Sequence, residues 1–234
     1  MNTGRVPAEA ETPAAADWEA HLQREKRRYR DGDERLDNAR DADAHQRQLT
    51  RLGNAASGAG LALLMQARRA EAAIWFARAA ERYRESFAGA PPDSWGRLIG
   101  ELKSLVLAGD WPAAEEAGRW SLEAGAADAR SPIGRYAAAL ALLVLGRDAD
   151  ARIHADAIRI RDDFPADVGD ALAFISAGDL VGYTEAVEAV LESFESRDEF
   201  LEGIPVADTV LVLQALARRR AMEAELSSSL LPAG

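Results

Sequence analysis

Two groupings in the chain carry residue types that could do chemistry. In "ADARIHADAIRI", Asp150 and His154 stand four residues apart. On a helix they share a face, where a carboxylate raises the pKa of an imidazole and the two could form half of a general-base arrangement. In "RIRDDFPADVGDALAF", Asp162, Asp163, Asp167 and Asp170 flank Phe164-Pro165. Four carboxylates so close invite a cation, but a calcium loop places its ligands at alternate positions with a required Gly and a closing Glu. The irregular set reads instead as a loop between helices, with Asp167 capping the next one, and as an acidic surface for a protein partner. Trp111, in the turn "LAGDWPAAEEAG", is the aromatic candidate for the same contact.

Other chemistry finds no support in the residues. Cysteine is absent, which removes disulfides, thiolate metal sites and thiol nucleophiles together. His21, His45 and His154 lack metal-ligand spacing, and no GxSxG, Walker loop or GxGxxG occurs. The expectation is a protein that is not an enzyme, with no catalytic residue, metal or cofactor. The formal charge is −11, concentrated at residues 151–200, where 12 Asp/Glu face 4 Lys/Arg for a net −8. Such a surface repels phosphates and attracts a cationic partner, so no nucleic acid is expected. The basic knot "REKRRYR", Arg24 to Arg30, is short and flanked by acids, and reads as a solvated helix face. No apolar run reaches the length of a membrane span, and the opening residues lack the apolar core of a secretory signal. A cytoplasmic protein is the expectation.

The elements that would position these residues are helices. Ala, Leu, Arg and Glu prevail, and no alternating β-branched run occurs. Residues 1–16 are read as a flexible tail, 17–44 as a charged helical segment with Trp18, Leu22 and Tyr29 on a thin apolar stripe, and 45–232 as one domain. "GNAASGAG" is a loop or a closely packed helix start, and Ile74, Ala77 and Arg78 fall at the spacing of one helix face. Of the tryptophans, Trp75 and Trp120 are assigned to the core, while exposure is expected at Trp95 and Trp111. Gly109, Gly146 and Gly178 each follow an apolar run and precede an acid and a new amphipathic helix. Their spacing, in the thirties, is that of stacked helical hairpins. The predicted fold is all-α: stacked antiparallel hairpins in a tetratricopeptide-like α-solenoid.

"SPIGRYAAALALLVLGRDADA", the later "FESRDEFLEGIPVADTVLVLQALARRRAM" and the ending "LSSSLLP" resemble the immunity-49 family of bacterial polymorphic-toxin systems. The resemblance spans residues 60–232 and centres on Pro205 to Thr209 and Leu230 to Pro232. It implies an all-helical cytoplasmic protein that binds and neutralises a cognate toxin, here one with a basic surface. The other reading of the same repeats is a scaffold for an endogenous protein or peptide.

Overall fold

Two turns of one construction set the helix order around the middle of the chain. Gly109 and Gly178 end their helices at φ 74° and 68°, a left-handed conformation that costs Gly least. The next residue then caps the following helix: Asp110 accepts from the Ala113 N–H at 3.1 Å and Asp179 from the Gly182 N–H at 3.1 Å. Each such cap stabilises its helix by about 1 kcal/mol. At the third turn Gly146 is also left-handed, but Arg147 occupies the cap position and makes no side-chain cap.

The computed structural model describes residues 17–36 and 41–233. The proposed tail at 1–16 lies outside them. The helices are α1 (Trp18–Asp33), α2 (Ala42–Met65), α3 (Arg69–Ala88), α4 (Gly96–Ala108), α5 (Trp111–Glu123), α6 (Pro132–Val144), α7 (Asp148–Arg159), α8 (Ala166–Ala177), α9 (Leu180–Glu195) and α10 (Asp208–Arg218). The fold is all-α, with no strand among the described residues.

Each helix through α9 packs on the next in sequence, and α6 also touches α4 and α8. The last helix breaks this order: α10 lies on α4, α8 and α9. Val210, Leu213 and Leu216 of α10 are fully buried in a core that also holds Leu140, Ile158, Leu172 and Tyr183. Polar contacts fix its position. The Tyr183 hydroxyl donates to Gln214 at 2.6 Å, and Gln214 donates to the Ala224 carbonyl at 2.7 Å. Arg219 and Arg220 donate to the Val144 and Leu143 carbonyls at 2.9 and 2.8 Å, tying the residues after α10 to the C-terminal end of α6.

The N-terminal half packs through small residues. "GNAASGAG" is the interior of α2 rather than a loop or a helix start. A Cβ at Gly53 would lie 2.9 Å from the Tyr83 ring, and one at Gly60 would lie 2.7 Å from the Phe76 ring. The face of α3 turned inward is Ala72, Phe76, Ala79 and Tyr83, whereas Ile74, Ala77 and Arg78 form its exposed side. Leu22 of α1 is fully buried and joins Leu63, Phe76 and Ile204 in one cluster.

Glu101 of α4 is buried with one oxygen on Arg84 at 2.6 Å and the other without a hydrogen-bond partner. Burial pushes its carboxyl up to about 7 from an ordinary 4.5, against the opposing pull of Arg84. Between those values the folded state holds a proton that the unfolded chain has released. This contribution is therefore complete below pH 4.5 and lost as pH rises through 7, for about 3 kcal/mol in all. Urea unfolding at pH 5 and pH 8 should show that loss in the wild-type protein, and Glu101→Gln should remove most of it.

Candidate functional site

The acidic loop between α7 and α8 is less free than its composition implies. Asp163 is paired with Arg161 at 2.7 Å and Asp170 with Arg159 at 2.5 Å, while Asp162 is exposed and Asp167 half-buried, neither with an ion pair among the described residues. Asp167 does not cap α8. Pro165 holds the cap position and Asp167 falls in the first turn, where its charge opposes the helix dipole's positive end. The corner is closely packed: a Cβ at Gly169 would lie 2.8 Å from the Arg159 Cα. Two of the loop's four carboxylates are thus compensated by arginines.

A longer run of unpaired acid lies one helix further on. Glu185, Glu188, Glu192 and Glu195 all sit on the exposed side of α9. They follow one another by three or four residues, so they form a single ridge. None makes an ion pair with any described residue. Val181, 71% exposed, continues the same line, and Leu180 beside it is 45% exposed. From Val181 to Glu195 the ridge runs about 21 Å at 1.5 Å per residue. Like charges at these spacings each oppose the helix by a few tenths of a kcal/mol. A partner carrying positive charge removes that cost, and scattered solubility charge would not have incurred it. Sequence reasoning missed Glu185 and Glu188. The signal was present in "YTEAVEAVLESFES", as a helical period spread over more residues than a local cluster.

The remaining candidates are occupied elsewhere. Trp111 is half-buried against the main core, and the Arg219 guanidinium covers its ring at 4.3 Å. Trp95, expected to be exposed, is only 8% exposed and packs with Leu98, Ala126 and Phe87, and its Nε1–H donates to Asp93 at 3.1 Å. Trp75 and Trp120 are half-buried, each under an arginine, Arg78 at 4.7 Å and Arg84 at 4.6 Å.

Asp150 is held by Arg147 at 2.7 Å and does not activate His154. Burial pulls that imidazole below its ordinary range, Arg135 adds to the effect, and Asp150 and Asp128 fail to reverse it. The basic knot is solvated at Arg27, Arg28 and Arg30, as its composition implies, and it is also a structural clamp. Arg24 and Arg28 flank the fully buried Glu25 at 2.8 Å each. Arg28 also pairs with Glu202, and Arg24 donates to the Glu202 carbonyl at 2.8 Å. Among the described residues no three His, Asp or Glu could hold a metal, and no helix is long and apolar enough to cross a membrane.

Comparison with family models, curated proteins and solved structures finds no match to this chain. The ridge on α9 therefore stands on its geometry.

Proposed function

We propose that the protein binds and neutralises a cognate bacterial toxin domain by protein–protein contact, without catalysis. A basic face of the toxin would dock on α9. The observation that carries this is the ridge from Val181 to Glu195: four glutamates on one exposed helix face, none ion-paired to a described residue, with an apolar end. Charge complementarity of this kind speeds encounter and selects the partner, and the apolar end supplies an anchor. The resemblance to the immunity-49 family supplies the toxin, and on that reading the protein works in the cytoplasm.

A tetratricopeptide-like solenoid acting as a peptide scaffold is the competing account. It would receive its ligand on the inner helices. In this chain α10 already lies across α4 and α8, which favours docking on an outer face.

Co-expression with the toxin domain encoded beside it is the test. The immunity reading expects cells to survive and the two proteins to co-purify. Continued killing with no complex would end it.

A further inference from the structure

A cavity of about 560 Å³ lies between α2, α4 and the segment that follows α9, within the size range of small-molecule sites. Its apolar wall includes Leu61, Ile99, Phe194, Phe200, Ile204 and Val206. Its charged groups divide into two kinds. Glu202 and Asp208 are already matched. Glu202 takes hydrogen bonds from Asn54 at 2.8 Å and from Arg28, and it is held at φ 57°, a backbone state that non-Gly residues rarely adopt. Asp208 pairs with Lys103 at 2.5 Å. Two guanidiniums are then left over. Arg97 donates only to the neutral Thr50, at 3.2 Å, and Gln46, with the Asp43 carboxylate close enough to act on its charge but outside ion-pair reach. Arg197 lies over the Phe194 ring at 3.8 Å and has no carboxylate of the described residues within ion-pair reach.

A half-buried arginine with neutral partners is costly unless an anion joins it, and a planar guanidinium suits a carboxylate or phosphate in two-point contact. The apolar wall suits a hydrocarbon body. In a chain of net charge −11, a cavity carrying surplus positive charge runs against the average surface.

We propose that this cavity binds a small amphipathic anion, its headgroup held by Arg97 and Arg197 and its apolar body by the phenylalanine wall. The site is separate from the α9 ridge and does not depend on toxin binding.

The probe is 1-anilinonaphthalene-8-sulfonate, an anionic headgroup on an apolar body, titrated against the full chain by fluorescence. The expected result is saturable binding at one site, displaced by octanoate or octyl phosphate and not by 1-octanol at equal concentration. Whichever anion displaces better identifies the headgroup. Arg97→Gln and Arg197→Gln should each weaken binding about tenfold, the loss of one charge-assisted contact. Arg130→Gln, an exposed arginine away from the cavity, should change nothing. Arg197 is exposed after α9, so its variant keeps the test decisive if Arg97→Gln fails to fold by circular dichroism. Unchanged affinity in Arg197→Gln, displacement by octanol as strong as by octanoate, or no saturable binding would each overturn the proposal.

Discussion

Phe76→Ala should cost about 3–5 kcal/mol of stability, the range for truncating a large buried aromatic that leaves a cavity. Phe76 is fully buried among Leu22, Leu63 and Ile204, so the transfer term is complete. The cavity term is also large, because the ring's neighbour on α2 is Gly60, which has no side chain to move into the space. In a chain of this length each kcal/mol moves the melting temperature by about 2–4 °C, so a fall of about 10 °C is expected. The fit works in both directions. Gly60→Ala would drive a Cβ to 2.7 Å from the ring, an overpacking that a smaller partner relieves. The double change Gly60→Ala with Phe76→Leu should therefore cost less than the sum of the single changes. Additive effects would show that the two helices are not in the contact described.

The features that could be read in advance are those whose cause is local in sequence. A Gly followed by Asp encodes both a left-handed stop and a cap, so the turns at Gly109-Asp110 and Gly178-Asp179 were legible residue by residue. The helical composition was legible for the same reason. Contacts between distant segments left no such mark. Nothing near Lys103 announces that it pairs with Asp208, nor that α10 returns to lie on α4. Glu25 looked like one charge in a basic knot, yet it is fully buried because two flanking arginines satisfy it. The two acidic stretches differ in their partners rather than in their count of charges. Asp163 and Asp170 stand in a dense acidic loop and have their own arginines. The glutamates of α9 are spread over more sequence and have none. Whether a carboxylate is free depends on three-dimensional neighbours, and that information is absent from a local cluster.

The second large effect concerns that ridge. With Glu185, Glu188, Glu192 and Glu195 all changed to Lys, association with a basic toxin domain should slow by about a hundredfold at low salt, as attraction along the ridge becomes repulsion. The fold should survive, because all four side chains are exposed and bond to no described neighbour. Net charge alone would slow a cationic partner, so the comparison needs a variant matched in charge. Glu81, Glu123, Asp128 and Glu225 are exposed and scattered over other elements, and their change to Lys supplies it. Reversal at Asp162 and Asp163 should do less than reversal on α9, since Asp163 already spends its charge on Arg161. Raising the salt should slow the wild-type protein and speed the α9 variant, because screening weakens an attraction in the first and a repulsion in the second.

The most direct measurement is the association rate of the toxin domain by stopped flow for three proteins: wild type, the α9 variant and the charge-matched variant. The account predicts a large loss for the α9 variant and a small one for the scattered variant. Equal losses in the two variants, or an unchanged rate with α9 reversed, would contradict it.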